Sequence, residues 1–371
     1  CALGALHSVV AIKGAMPVTH CGPGCCDKQY ESIAFYNGFQ GGGYAGGSVT
    51  PRCNLSEKEV VFGGEKKLRD LIKASLKIMD ADLYVVLNGC IGELVGDDIG
   101  SVVSEFQDKD IPIVFAETGG FKGNNFVGHE IIVKAIIDQY VDKFAVNKDV
   151  KEKGLINVWT ELPYQSPFWR GDLEEIKRIL EGAGFKVNIL FGNKSKGVEE
   201  WKTIPNAQFN LVISPWLGLK TAKYLEKKYE QPYLHIPVLP IGAKETASFI
   251  RKVIDFAGID TKIADEVYEA FNEVFEKFPK LKNRINYVGS IENTFDEINK
   301  VYKLYYGGNL FYSYLNKLKL YFKVLAFADE VPNKNVLNPY VNRELSYEER
   351  LSYGKSYFES ISINELFSYA N

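Results

Sequence analysis

The sequence predicts an α/β fold, built from two or three Rossmann-like domains whose parallel sheets are flanked by helices. Two observations carry this prediction. Short apolar runs alternate with amphipathic segments of helical spacing, and the alternation restarts after a polar stretch near residues 145–153. Strands covered by helices on both faces read as continuous apolar runs. A chain of 371 residues is long enough for two or three such domains.

The first series of elements lies in residues 1–150, which we predict to form the N-terminal domain. The segment KKLRDLIKASLKIMD (66–80) has helical spacing and leads to the strand DLYVVLN at 82–88. The strand IPIVFAE follows at 111–117, and the helix GHEIIVKAIIDQYVDKF spans 128–144. Strands that alternate with helices in this way indicate a parallel sheet.

A second series defines a predicted second Rossmann-like domain at residues 151–284. Its strands are predicted at 154–160, 186–192, 209–216 and 233–240, and its helices at 171–184, 220–230, 243–258 and 264–278. After residue 285 the alternation weakens. We therefore predict that residues 285–371 form a divergent, mostly helical region, which is a reduced third domain if it is one at all.

Composition excludes several classes of protein. The formal net charge of −3 and the pI near 6.0 give no reason to expect nucleic-acid binding. The sequence lacks an apolar run of the ~20 residues that cross a bilayer, and a secretion signal is not evident. We expect a cytoplasmic protein without a membrane partner. Because the sequence starts at Cys1 and not at methionine, we also expect a native leader outside it.

The cysteines are concentrated at one end of the chain. They stand at positions 1, 21, 25, 26, 53 and 90, and three of them lie in the segment MPVTHCGPGCC (16–26), which its glycines and proline predict to be a stiff loop. A secreted disulfide scaffold is small and spreads its cysteines through the fold. Metal binding or reactive thiols are therefore favoured over disulfides.

Cys90 follows the predicted strand at 82–88 directly. Ligands of open α/β sheets collect at the carboxyl ends of strands, so this position suits a functional residue. A buried structural cysteine is the alternative that position alone leaves open.

The segment LNGCIGELVGDDIG around Cys90 resembles the third cluster-cysteine loop of the nitrogenase component 1 family. The stretch from Cys1 through GAMPVTH to HCGPGC resembles the first two cluster cysteines of that family, and the match falls on Cys1 and Cys25. Further similar segments are VFGGEKKLRDLI, ETGGFKGNNFVGHEI, WRGDLEEIKRILEGAGFKVNILFG, IPNAQFNLVISPW and HIPVLPIGAKETASFIRKV. The resemblance covers roughly residues 1–275 and is of the beta-subunit type.

This resemblance implies an iron–sulfur cluster bound by Cys1, Cys25 and Cys90, either of the [8Fe-7S] P-cluster type or [4Fe-4S]. The chemistry of the residues agrees, because thiolates are soft ligands for iron and glycines let a loop approach a cluster closely. Three thiolates leave a cubane or larger cluster short of ligands. The resemblance implies that a homologous companion subunit supplies the others at an interface, in a heterodimer, heterotetramer or homodimer.

The leading functional hypothesis is the iron–sulfur subunit of a nitrogenase-like reductase, which receives electrons from an ATP-dependent Fe-protein-type reductase. The absence of any cysteine after Cys90 argues against a second, sulfur-held metallocofactor in this chain. One alternative is a scaffold on which a nitrogenase-type metallocofactor is assembled, and another is a metal-free α/β binding protein. The substrate is not indicated by any of these residues.

Several other residues are expected to play supporting roles. The family match does not select Cys21, Cys26 or Cys53, and His20 is expected to hydrogen-bond the cysteine loop. Asp97 and Asp98 are predicted to cap a helix N-terminus. The glycine-rich stretch GFQGGGYAGGS (38–48) lacks the Gly-Lys-Ser/Thr of a phosphate-binding loop and is expected to be an active-loop or interface segment.

Overall fold

The computed structural model describes residues 2–36, 50–107, 111–166, 168–241 and 243–258. The chain divides into two compact units, Cys1–Val274 and Phe275–Asn371, and the described residues belong to the first. The predicted helix at 264–278, the predicted C-terminal region 285–371 and the glycine-rich stretch 38–48 lie outside the described residues. Within the first unit, the predicted α/β class with helix-flanked parallel sheets is confirmed.

The first sheet has three parallel strands in the order β1-β2-β3. They are β1 (Ala15–His20), β2 (Leu83–Asn88) and β3 (Ile113–Glu117). Every residue of β1 and β2 is buried, which explains why the LYVVLN run of β2 shows no polar alternation. The strands predicted at 82–88 and 111–117 are thus confirmed to within two residues.

The prediction of a stiff loop at residues 16–26 is wrong. Residues 15–20 form strand β1, and helix α2 begins at Pro23, so Cys21 and Gly22 are the residues that join the two elements. Pro17 is tolerated because β1 is an outer strand of the sheet, where a missing N–H costs little. Pro23 suits the first position of a helix, whose N–H has no acceptor within the helix.

Helices cover both faces of the first sheet. They are α1 (Ala2–Val10), α2 (Pro23–Tyr36), α3 (Glu57–Phe62), α4 (Glu65–Ile78), α5 (Cys90–Val95), α6 (Ile99–Gln107), α7 (Asn125–Ile136) and α8 (Asp142–Phe144), with a π-helical turn, Ile137–Val141, between the last two. Helix α4 is amphipathic: Leu68, Ile72 and Ser75 share one face and are buried, while Asp70, Lys73 and Lys77 are exposed.

The second sheet has four parallel strands in the order β5-β4-β6-β7. Its elements are β4 (Glu152–Trp159), α9 (Trp169–Gly182), β5 (Lys186–Asn188), α10 (Val198–Trp201), β6 (Ala207–Val212), α11 (Leu219–Tyr229), β7 (Tyr233–His235) and α12 (Ala243–Ala257). Strand β5 is shorter than the predicted run 186–192. Leu190 adopts a φ of 63°, in the left-handed region, and this turns the chain away from the strand direction.

Within the first unit, hydrogen bonds and an ion pair connect the segments around the first sheet to those around the second. The backbone N–H of Gly192 donates to the Ala11 carbonyl at 2.9 Å, and that of Val198 donates to the Lys13 carbonyl at 3.0 Å. A second junction lies at the π-helical turn, where Lys228 of α11 forms an ion pair with Asp138 at 2.6 Å. The predicted domain boundary between residues 150 and 151 falls between α8 and β4 and stays a prediction.

Candidate functional site

The carboxyl ends of the three strands of the first sheet meet at one edge. In the parallel register His20, Asn88 and Glu117 stand side by side, as the last residues of β1, β2 and β3. His20 and Asn88 are fully buried. Because ligands of open α/β sheets bind at this edge, the segments that follow these three residues form the candidate site.

Two of the three predicted cluster cysteines lie at this edge, on neighbouring strands. Cys25 is in the first turn of α2, just after β1, and Cys90 is the first residue of α5, just after β2. The two segments touch: the Gly89 N–H donates to the His20 carbonyl at 2.9 Å. A Cβ on Gly89 would lie 2.6 Å from the Cys21 Cβ, so glycine is required for this approach. Cys1, the third predicted ligand, lies outside the described residues.

Cys90 is half-buried and its sulfur accepts a backbone hydrogen bond. The Gly120 N–H, in the loop after β3, donates to Cys90 Sγ at 2.9 Å. Glu93 holds that loop in place, since its carboxylate accepts the Gly119 N–H at 2.6 Å and pairs with Lys122 at 2.9 Å. The third strand therefore contributes a donor to the sulfur, which the sequence alone did not indicate.

Cys25 is half-buried, and its two neighbouring thiols, Cys21 and Cys26, are buried. A hydrogen bond from the Cys21 thiol lowers the pKa of Cys25 to about 7. The same donor lowers the pKa of Cys26 to about 6, with further help from Thr19 Oγ1 at 3.3 Å and from the Arg52 guanidinium. Hydrogen bonding with its two neighbours and burial raise the pKa of Cys21.

A buried chain of side chains lies behind the edge and joins three segments. His20 Nε2 lies 2.7 Å from Asp97 Oδ2, and His20 Nδ1 lies 3.2 Å from Cys53 Sγ. The Asp97 carboxylate also accepts the Gly64 N–H at 2.9 Å, at the start of α4. The expectation that His20 hydrogen-bonds the cysteine loop is wrong for its side chain, which contacts Asp97 and Cys53, both outside residues 16–26.

Cys53 is held in the thiol form by its burial. The Asp97 carboxylate can only accept, so His20 Nε2 carries the proton and the Nδ1 lone pair faces Cys53. The Cys53 S–H then donates to Nδ1, and burial raises the pKa of Cys53 to about 12. A protonated thiol is a poor metal ligand, which agrees with the expectation that Cys53 is not selected.

The prediction that both aspartates of the GDDI segment cap a helix is right for one of them. Asp98 accepts the Ser101 N–H at 2.9 Å, which is an N-cap contact at the start of α6. Asp97 points inward, is buried, and bonds His20 and Gly64. Adjacent residues at a helix start face different directions, so the sequence could not separate their roles.

The Asp97–His20–Cys53 chain and the Gly120 N–H were not predicted from the sequence. The sequence did contain a signal for the side-chain chain. If β1 had been predicted as a strand, His20 would have been its last residue. The Gly120 N–H gave no signal in the sequence, because a backbone N–H does not depend on a particular side chain.

Within the described part of the chain, groups of three or more His, Cys, Asp or Glu side chains arranged to hold a metal ion are absent. The helices among the described residues are too short or too polar to cross a membrane. The site therefore consists of two half-buried thiols on adjacent strand ends, with a backbone donor on one of them.

Several known proteins have sequences similar to this chain. The chain is 25% identical over 279 residues to the nitrogenase molybdenum-iron protein beta chain of Rippkaea orientalis, covering 69% of this chain and 51% of that one. It is 27% identical over 237 residues to a light-independent protochlorophyllide reductase subunit of Synechocystis sp., covering 61% and 44%. The chain thus spans about half the length of these relatives.

Solved structures agree. A structure of nitrogenase Cp1 at pH 5 superposes with a TM-score of 0.59 and 25% identity, over 75% of this chain and 55% of that one. A family model described as nitrogenase component 1 type oxidoreductase matches residues 1–288. The chain therefore belongs to the nitrogenase component 1 type oxidoreductase family.

Proposed function

We propose that this chain is the iron–sulfur subunit of a nitrogenase-like, ATP-dependent reductase complex. It relays electrons from an Fe-protein-type reductase, through a cluster at a subunit interface, to a substrate or cofactor site. The observation that carries the proposal is the placement of Cys25 and Cys90 at adjacent strand ends of the first sheet, in a chain of this family.

Cys1, Cys25 and Cys90 are the proposed ligands. The donor chemistry fits an iron–sulfur cluster, since thiolates are its usual ligands. Cys25 fits because the hydrogen bond from Cys21 lowers its pKa to about 7, so the thiolate is accessible near neutral pH. Cys90 fits because a backbone N–H already points at its sulfur, and hydrogen bonds to cluster sulfurs tune the reduction potential. The cluster, of the [8Fe-7S] or [4Fe-4S] type, supplies one-electron transfer when bound.

The surroundings of the two thiols suit a cluster shared between chains. Both residues are half-buried, so neither is sealed inside the core of this chain. Three thiolates from one chain do not complete a cubane, and a homologous companion subunit, or a second copy of this chain, supplies the others. The ATP chemistry belongs to the docking reductase. We place the complex in the cytoplasm.

Iron content tests the ligand assignment. The chain is produced anaerobically together with the products of neighbouring genes, and iron, acid-labile sulfide and EPR spectra are measured. We expect cluster signals in the wild type and a loss of at least half of the iron in Cys25→Ala and in Cys90→Ala. Cys53→Ser is the matched control, because it removes a thiol but keeps a donor to His20, and its iron content should stay at the wild-type level.

Two results would contradict the proposal: an iron-free protein under these conditions, or a Cys90→Ala variant with unchanged iron and EPR. A transfer assay separates the reductase from the assembly scaffold. A reductase subunit keeps its cluster and accepts ATP-dependent electrons, whereas a scaffold releases its cluster to an acceptor protein.

A further inference from the structure

The loop that follows β3 supplies the hydrogen-bond donor at the Cys90 sulfur. The Gly120 N–H donates to Cys90 Sγ at 2.9 Å. A Cβ on Gly120 would lie 3.2 Å from that sulfur, which is tighter than an ordinary van der Waals contact, so glycine suits this close approach. The position of the donor therefore depends on what fixes the backbone on either side of Gly120.

Two anchors fix the backbone just before Gly120. The Thr118 N–H and Oγ1 both donate to the Asn88 carbonyl, at 3.0 and 2.8 Å, which ties the loop to the end of β2. The Gly119 N–H donates to Glu93 Oε1 at 2.6 Å, which ties the loop to α5. Helix α5 also begins with the cluster-ligand candidate, so the sulfur and the carboxylate that holds its donor stand on the same helix.

Glu93 holds the loop on both sides of Gly120. Its side chain is 7% exposed, and its second oxygen, Oε2, pairs with Lys122 Nζ at 2.9 Å. Lys122 ends the short helical turn that starts at Gly120. The Gly119 backbone packs directly on the carboxylate, since a Cβ there would lie 3.0 Å from Glu93 Cδ. One buried carboxylate thus bonds the residue before the donor and the residue that closes the turn after it.

We propose that Glu93 is a positioning residue that sets the reduction potential of a cluster bound at Cys90, by holding the Gly120 N–H against the cysteine sulfur. The inference rests on the proposed function. One-electron reduction adds negative charge to a cluster and its ligand sulfurs, and an N–H donor stabilises that charge. Loss of the donor therefore lowers the potential. The charge of Glu93 acts in the opposite direction, because a nearby negative charge disfavours reduction.

Three neutral substitutions separate the hydrogen bond from the charge. Glu93→Gln, the matched control, removes the charge but keeps an oxygen that accepts the Gly119 N–H. Glu93→Met has a similar length, and its thioether is only a weak acceptor. Glu93→Ala removes the side chain beyond Cβ, so it cannot clash with the loop. Because all three remove the same charge, the difference between Glu93→Gln and the other two reports the acceptor.

Redox titration of the anaerobically prepared complex, followed by EPR, measures the potential. At one fixed solution potential, the ratio of reduced to oxidised cluster should be about threefold lower in Glu93→Met and Glu93→Ala than in Glu93→Gln, which is roughly 30 mV for a one-electron couple. The iron content of Glu93→Gln should match that of the wild type. Equal potentials in the three variants would overturn the inference.

Hydrogen exchange in the metal-free full chain measures the hold on the loop itself. Protection of the Gly119 amide should fall about tenfold in Glu93→Met and in Glu93→Ala, and should stay at the wild-type level in Glu93→Gln. If the methionine and alanine variants bind no cluster, this comparison decides. Unchanged protection of the Gly119 amide in both of them overturns the inference, and loss of protection in both supports it.

The iron content of the wild-type complex separates this inference from the proposed function. A wild-type complex without iron contradicts the proposed function and removes the basis of the effect on the potential. A wild-type complex that holds a cluster, together with equal potentials in the three variants, contradicts the positioning role of Glu93 and leaves the proposed function standing.

Discussion

Replacing Asp97 by alanine tests whether the buried chain behind the site holds its segments together. The Asp97 side chain is 4% exposed, and its carboxylate accepts from His20 Nε2 at 2.7 Å and from the Gly64 N–H at 2.9 Å. The substitution leaves two buried donors on different elements without their acceptor. We predict that it lowers the free energy of unfolding of the first unit by about 3–5 kcal/mol.

The magnitude follows from the donors. Each buried donor that loses its acceptor costs about 1–3 kcal/mol. Asp97→Asn should cost less, about 1–2 kcal/mol, because the neutral imidazole can change its tautomer. The asparagine N–H then donates to His20 Nε2, its oxygen accepts from Gly64, and His20 Nδ1–H faces Cys53 Sγ. The donor that loses its acceptor is then the weak Cys53 S–H.

Hydrogen exchange at the Gly64 amide measures the local effect. A loss of about 3 kcal/mol corresponds to a fall of roughly a hundredfold in protection. The matched control is Asp98→Ala, which removes the neighbouring cap of α6 and should cost about 0.5–2 kcal/mol without changing exchange at Gly64. Equal protection of the Gly64 amide in wild type and Asp97→Ala would refute the reasoning.

Two further predictions concern the core of the first unit. In Gly92→Ala the added Cβ would lie 2.6 Å from His20 Cδ2 and closer still to Asn88 Oδ1, so we expect a loss of about 1–3 kcal/mol in urea unfolding. The control Gly171→Ala meets open space in α9 and should gain up to about 1 kcal/mol; equal effects of the two would contradict the packing argument. Burial lowers the pKa of His7 to about 4 and of His129 to about 3. The unfolded chain therefore binds protons first as the pH falls through about 6.5, and each histidine removes about 1.4 kcal/mol of stability per pH unit from there down to about pH 4. In His129→Gln the slope of unfolding free energy against pH should be smaller by roughly that amount between pH 6 and 5 and by about half of it between pH 7 and 6, and an unchanged slope would contradict the role of burial.

Elements that depend on local pattern could be predicted from the sequence. The apolar run of β2 and the helical spacing of α4 lie where the sequence placed them. These segments owe their conformation to a face or a run that is visible without any partner. Strand β1 could not be predicted in this way, because Pro17 and the following glycines read as a loop. It becomes a strand by pairing with β2, which is a contact between residues far apart in the chain.

The same distinction between local pattern and long-range contact applies to the candidate site. By itself, the sequence determined that thiols are concentrated near the start of the chain, that Cys90 follows a strand, and that the chain resembles one family. Those features are written in residue types and spacing. Only the tertiary structure decided that Asp97 faces His20 while Asp98 faces a helix end, and that the Gly120 N–H meets the Cys90 sulfur. These contacts depend on which strand ends lie side by side, and the pairing order of a parallel sheet is not carried by any local stretch of residues.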